Sequence, residues 1–210
     1  KDIVRLCQEA IKFNFASVCV NPVYVPLAVS ELQGTSVKVC TVVGFPLGAV
    51  STDDKVCETK NAIQNGADEI DMVINIGAAK DGRYSVVSSD IAAVVECARV
   101  EGAKLNKNII VKVILETCLL DDYTITNCCL CAKKAGADFV KTSTGFANPK
   151  GVDGNLLPNG ASEYHVKLMK KTVGSDMKVK ASGGIRSTKM ALVMIKAGAE
   201  RIGTSSGVSI

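Results

Sequence analysis

Three lysines, each preceded by valine, stand in apolar stretches where a charge is costly: Lys112 in "NIIVKVILE", Lys141 in "FVKTSTGF" and Lys180 in "MKVKAS". Asp71 sits in an equally apolar stretch, "EIDMVIN". Side chains of a strand alternate between its faces, so Glu69, Asp71, Val73 and Asn75 share one face. By the same alternation Phe139, Lys141 and Ser143 go together, as do Lys178, Lys180 and Ser182, and Lys112, Ile114 and Glu116. A single lysine so placed can reach water along its own stem. Three of them with an aspartate predict a shared polar pocket, because buried charges must be paired or change protonation state.

The chemistry that needs such a pocket is attack on a carbonyl. A lysine amine is a nucleophile only when neutral, and its ordinary pKa is about 10.4, so it works near neutral pH only if burial and a neighbouring ammonium favour the neutral form. An aspartate beside it can take and return the protons of carbinolamine formation and dehydration. A lysine nucleophile, a lysine neighbour and an acid-base aspartate describe Schiff-base chemistry.

A second group of residues fits an anion. "KASGGIRSTKMA" follows Lys180, and "GTSSG" closes the last apolar run. Gly183 and Gly184 let backbone N–H groups approach a ligand, and Ser187 or Thr188 can open the next helix, whose N-terminus favours negative charge. Gly184, Ser205 and Ser206 are the expected phosphate ligands, with Gly183 beside them and Arg186 as a charge partner.

These residues need elements to hold them. Strands are predicted at 15–21, 37–44, 69–75, 108–116, 139–144, 177–182 and 201–206, with helical spacing between them and a glycine after most helices. The alternation predicts a parallel sheet. "NGADEID", "AGADFVK" and "AGAERIG" repeat one construction, a helix-ending Gly-Ala, an acidic residue and a strand entry, which puts Asp71, Lys141 and Gly203 at equivalent positions. Repeated units without an early Gly-x-Gly-x-x-Gly favour a TIM (β/α)8 barrel over a doubly wound sheet. Phosphate sites of barrels commonly lie in the loops after the last two strands, where the Gly-Gly and Ser-Ser stretches fall. Only seven strands are found, so the first strand of the barrel is expected to lie outside this sequence.

The 210 residues, 47% hydrophobic, suit a single domain over 1–210 with a large core. A net charge of +4 without a basic block speaks against nucleic acid, and no apolar run reaches the roughly 18 residues of a membrane span, so a soluble cytoplasmic protein is expected. Nine scattered cysteines and one histidine, His165, fit reduced buried thiols; the Cys128/Cys131 pair lacks the second pair or histidines of a zinc site. No metal and no cofactor is expected.

Taken in order, "FASVCVNP", "KVCTVVGFPLG", "EIDMVINIGA", "VKVILETC", "FVKTSTGF", "KASGGIR" and "RIGTSSG" resemble the deoxyribose-phosphate aldolase family of class I aldolases over nearly the whole chain. The resemblance implies a β/α barrel that reversibly cleaves 2-deoxy-D-ribose 5-phosphate to acetaldehyde and D-glyceraldehyde 3-phosphate without a metal. It implies Lys141 as the Schiff-base lysine, Asp71 as proton donor and acceptor, and Lys180 as the lysine that perturbs Lys141. It puts phosphate on Gly184, Ser205 and Ser206 and substrate against Thr144. The family opens with a strand bearing an Asp-His-Thr stretch that has no counterpart here, and Phe146 stands where some relatives carry a phosphate-contacting lysine. Residues 147–162 are expected to form a mobile loop beside the site, and a homodimer or higher homo-oligomer is expected. Two other readings use the same residues. A sugar-phosphate isomerase or epimerase would share the barrel and phosphate loop but has no need of a lysine pair, and a non-catalytic sugar-phosphate-binding barrel would form no covalent adduct.

Overall fold

The structure is a computed structural model describing residues 1–210. Strands β1 (Ser17–Val20), β2 (Lys38–Val43), β3 (Glu69–Val73), β4 (Ile110–Ile114), β5 (Phe139–Lys141), β6 (Lys178–Ser182) and β7 (Arg201–Gly203) form one sheet in sequence order, every neighbour parallel. An order that never reverses is that of a sheet winding one way into a barrel, unlike the switch of a doubly wound sheet. Helices α1 (Asp2–Lys12), α2 (Val25–Glu31), α3 (Thr52–Gln64), α4 (Ile76–Lys80), α5 (Tyr84–Lys104), α6 (Asp122–Lys134), α7 (Glu163–Val173) and α8 (Thr188–Lys196) alternate with the strands. No helix is long and apolar enough to cross a membrane.

The sheet curls until its edges face one another. β1 and β7 do not pair, yet Arg201 Nη1 on β7 donates to Ser17 Oγ on β1 at 3.3 Å. Between them lies a cavity of about 450 Å³ lined in part by Phe15, Cys19, Lys180, Arg201 and Ser205. The seven strands thus wind as in a β/α barrel, with β7 and β1 facing each other across this cavity.

The two faces of the sheet differ. Outward residues such as Val18, Val39, Ile70, Met72, Val111, Val113, Val140 and Val179 join a buried cluster of 45 residues with the helices. Inward residues include Cys19, Cys40, Glu69, Asp71, Lys112, Lys141, Lys180 and Arg201, in the register Cys19↔Cys40↔Glu69, Asp71↔Lys112 and Lys141↔Lys180↔Arg201. The core therefore sits outside the sheet, and the inside is left for charge.

The internal repeat has a structural reason. Gly66, Gly136 and Gly198 adopt φ of 105°, 77° and 110°, left-handed values that stop α3, α6 and α8. The acidic residue two positions on then binds the preceding strand: Asp68, Asp138 and Glu200 accept from the N–H groups of Val39, Val111 and Val179 at 3.1, 2.7 and 3.1 Å. One acid per unit thus ties a strand entry to its neighbour and sets the parallel register.

All seven strands are shorter than the sequence expectation, and two of the early ends have a clear cause. The stretch 139–144 stops being strand at Lys141, because side chains take over the pairing. Thr142 Oγ1 donates to the Ser182 carbonyl at 2.9 Å and accepts from Ser182 N–H at 3.0 Å, while Ser182 Oγ donates to the Ser143 carbonyl at 2.7 Å. Asn75, expected as strand, caps helix α4 instead, its Oδ1 accepting from Ala78 N–H at 2.9 Å.

Below the strand ends α3 and α5 are locked by a buried ion pair. Lys55 Nζ lies 2.5 Å from Asp90 Oδ2 and donates to the Val73 carbonyl at 2.8 Å, with both side chains buried. Truncating one partner leaves a buried charge alone, so Asp90→Asn is expected to lower the unfolding free energy by about 3–5 kcal/mol in urea titration. Lys55→Met together with Asp90→Leu should cost less than Asp90→Asn. A loss below about 1 kcal/mol, the range of exposed pairs, would show that the pair is solvated.

Candidate active site

Asp71 is fully buried at the centre of β3, and three strands aim lysines at it. Lys112 Nζ on β4 lies 2.7 Å from Oδ1; Lys141 Nζ on β5 and Lys180 Nζ on β6 each lie 2.8 Å from Oδ2. Burial alone would raise the Asp71 carboxyl, but the three ammonium groups overcome it and hold the carboxyl well below the usual carboxylate range. Burial likewise works against the Lys112 and Lys180 ammonium groups, and the carboxylate beside them holds both above the usual lysine range. Lys141 and Lys180 thus meet on one oxygen atom.

A layer below, Glu69 completes the network. Its Oε2 pairs with Lys112 Nζ at 2.6 Å and with Arg201 Nη1 at 3.3 Å. The Arg201 guanidinium and the Lys178 ammonium each lie 5.7 Å from the centroid of the Phe139 ring, which floors the pocket. Lys112, Lys141, Lys180 and Arg201 are four cations against the carboxylates of Asp71 and Glu69, so the pocket carries an excess of positive charge. Such a pocket favours an anionic ligand.

Lys141 and Thr144 open onto a second cavity of about 360 Å³, walled in part by Val42, Phe45 and Phe146. Phe45 and Phe146 meet edge to face at 5.4 Å. Thr144 is held by Glu116, whose carboxylate accepts from the Thr144 N–H at 3.2 Å and from its hydroxyl. Glu116 is buried with φ of 58°, a left-handed conformation that costs a non-glycine residue about 1–3 kcal/mol.

The expected anion ligands gather at the same strand ends. Gly183 and Gly184 follow β6 with φ of 88° and 75°. A Cβ on Gly183 would lie 2.8 Å from Gly160 Cα, so the segment 147–162 packs directly on this turn, where Ala161 N–H also donates to the Gly183 carbonyl. Ser187 caps α8, accepting from Met190 N–H at 3.3 Å. Arg186 is exposed, and Ser205, on the cavity that Lys180 lines, is exposed beside half-buried Ser206.

The residues that sequence reasoning leaves without a role are Glu69, Arg201, Glu116, Cys19 and Cys40. Glu69 and Glu116 carry a usable signal, since each alternates in phase with a buried charge. The thiols and Asp71 converge to within 4.8 Å, the spacing of a metal site, but the carboxylate is already taken by three ammonium groups that would repel a cation. His165 lies away from the pocket on α7, and burial lowers its pKa. Cys128 and Cys131 are buried on α6, where desolvation pushes the Cys128 thiol up to about 12.

Known proteins are similar to this chain along its whole length. The family profile described as DeoC/LacD family aldolase matches residues 1–210. A deoxyribose-phosphate aldolase of Streptococcus pneumoniae (strain Taiwan19F-14) is 57% identical over 210 residues, 100% of this chain and 87% of that one. One from Geobacillus sp. (strain WCH70) is 54% identical over 208 residues, 99% and 86% of the two chains. Among solved structures, the tetrameric deoxyribose phosphate aldolase from Aeropyrum pernix superposes with a TM-score of 0.85 at 34% identity, covering 100% of this chain and 81% of that one. With a family match over every residue and identity above one half, the chain belongs to the DeoC/LacD family of aldolases.

Proposed function

We propose that this chain is a class I aldolase that reversibly cleaves 2-deoxy-D-ribose 5-phosphate to acetaldehyde and D-glyceraldehyde 3-phosphate, with Lys141 as the Schiff-base lysine. The observation that carries the reading is the single carboxylate oxygen of Asp71 shared by Lys141 and Lys180. Lys141 passes a proton to the Asp71 carboxylate and attacks the C1 aldehyde of the open sugar. Lys180 stays an ammonium beside it, and its charge favours the neutral amine of its neighbour. Asp71 carries protons to the carbinolamine oxygen, which leaves as water.

The resulting iminium draws the electrons of the C2–C3 bond onto C2 and nitrogen. The C3 hydroxyl gives up its proton, C3 becomes the aldehyde of glyceraldehyde 3-phosphate, and an enamine remains on Lys141. Protonation at C2 and hydrolysis release acetaldehyde and restore the amine. In this reading Thr144, fixed by Glu116, contacts the sugar, and Gly183, Gly184, Arg186, Ser205 and Ser206 hold its phosphate. The named relatives are deoxyribose-phosphate aldolases, which supports the substrate. Assembly into a homo-oligomer belongs to the same reading: the Aeropyrum pernix relative is a tetramer, and Val23, Leu47, Tyr123 and Leu192 expose large apolar side chains here.

Acetaldehyde release tests both substrate and phosphate site. Ser205→Asp removes a donor and sets a negative charge against the phosphate. Its kcat/KM on 2-deoxy-D-ribose 5-phosphate is expected to fall at least about tenfold, the worth of one charge-assisted hydrogen bond. The slower cleavage of unphosphorylated deoxyribose should change little. An equal drop on both sugars would put Ser205 in the chemistry or the fold; no release from wild type would end the aldolase reading.

A further inference from the structure

Two thiols at the pocket have no part in this mechanism. Cys19 on β1 and Cys40 on β2 stand opposite one another in register, both on the inward face. Neighbouring strands run about 4.7–4.9 Å apart, inside the 4.4–6.8 Å range of Cα separations that a disulfide spans. Their sulfur atoms lie within 4.8 Å of one another.

The two thiols also differ in the way a redox pair needs. Cys19 is exposed to both cavities, the one lined by Lys180 and the one lined by Lys141. Cys40 is fully buried, its Sγ 3.3 Å from Asp71 Oδ1 and 3.5 Å from Lys112 Nζ. The neighbouring Cys40 thiol, helped by the Lys180 and Lys141 charges, lowers the Cys19 thiol to about 7. The Cys19 thiol beside it, together with burial, raises the Cys40 thiol well above the usual range. A thiolate open to small molecules beside a protonated buried thiol is an attacking cysteine with its resolving partner.

We propose that Cys19 and Cys40 form a reversible redox pair, closed by a hydroperoxide into a disulfide inside the active-site pocket. The Cys19 thiolate attacks a peroxide oxygen, the O–O bond breaks, and with one proton taken up water leaves and Cys19 becomes a sulfenic acid. Cys40 then attacks the Cys19 sulfur; its proton leaves with the hydroxyl as a second water. Two thiols are oxidised by two electrons and the peroxide is reduced to two waters. Closure turns the Cys40 sulfur away from Asp71, removing one hydrogen bond from the proposed proton carrier.

The test is direct. Wild-type protein is treated with a small excess of hydrogen peroxide, then denatured and alkylated without reductant. The expected result is a mass lower by two hydrogens, two fewer alkylated cysteines, and a linked peptide joining Cys19 to Cys40, all reversed by dithiothreitol. Cleavage of 2-deoxy-D-ribose 5-phosphate should fall about fivefold on oxidation, the worth of one neutral hydrogen bond, and recover on reduction. This last readout rests on the aldolase reading; a protein with no cleavage before oxidation fails that reading and leaves the linkage result standing. Neither Cys19→Ser nor Cys40→Ser should form the link, and in Cys40→Ser the sulfenic acid should persist on Cys19 and label with dimedone. The pair is overturned if wild-type Cys19 stops at a sulfenic or sulfinic acid while Cys40 stays alkylatable. It is equally overturned if peroxide joins Cys57 to Cys97 or Cys128 to Cys131 instead. A linked protein of undiminished cleavage rate overturns control of the site.

Discussion

Borohydride added to the protein with acetaldehyde is expected to fix a single two-carbon adduct, and peptide mapping to find it on Lys141. Lys112 is excluded as the nucleophile by its surroundings: it is fully buried between Glu69 and Asp71 and lines neither cavity. Lys180 opens on the cavity of Ser205, whereas Lys141 shares its cavity with Thr144. Lys141→Met should end adduct formation and lower cleavage by at least about 10⁴-fold, the scale on which loss of a covalent nucleophile is felt. The variant should fold, because it removes one cation from a cluster that holds four against two carboxylates. An adduct on Lys180, or a folded Lys141→Met protein that keeps its turnover, would move the chemistry elsewhere.

Asp71→Asn is the second large effect, and it should damage rate and stability together. Without the carboxylate, Glu69 alone faces four cations, and breaking a buried pair in this way costs about 3–5 kcal/mol. Proton transfer through residue 71 is also lost, which should lower cleavage by about 10²- to 10⁴-fold. The pH dependence has a definite sign. In the unfolded chain an aspartate titrates near 3.9, and in the folded protein Asp71 lies well below the carboxylate range. The folded state therefore binds the Asp71 proton less tightly. Its contribution to stability is fully present above about pH 4 and is lost as pH falls through the folded value. Acid titration of wild type against Asp71→Asn should show this loss in wild type only. Near-normal turnover in Asp71→Asn would remove Asp71 from the proton path.

Much of the site is legible in the amino-acid sequence because its signals are local. Lys112, Lys141, Lys180 and Asp71 each break an apolar strand, and alternation alone puts each on a definite face. The repeated Gly-Ala-acid likewise marks three strand entries, and the fold supplies its reason in Asp68, Asp138 and Glu200. What is not legible depends on neighbours distant in the chain. Cys19 and Cys40 look like ordinary strand cysteines until β1 and β2 are in register, and Arg201 reveals its partner only when the sheet curls back to Glu69. Glu116 is in phase with Lys112, but its left-handed backbone and its hold on Thr144 follow from the turn after β4. The end of β5 escapes the pattern for a similar reason, since Thr142 is a good strand residue whose hydroxyl here replaces a ladder bond.

That replacement bears on how substrate enters and leaves. β5 is only three residues long, and a strand so short, carrying the proposed nucleophile at its last position, would fray if main-chain bonds alone held it. Thr142 and Ser182 add further cross-links just beyond Lys141, and the Thr142 N–H still donates to the Lys180 carbonyl at 3.1 Å. The two lysines are therefore clamped to one another from the backbone side, while residues 147–162 meet the turn after β6 at Gly160 and Ala161 against Gly183. Binding and product release can then proceed by displacing the rim without respacing the two lysines, so each turnover begins with the proposed nucleophile already in position.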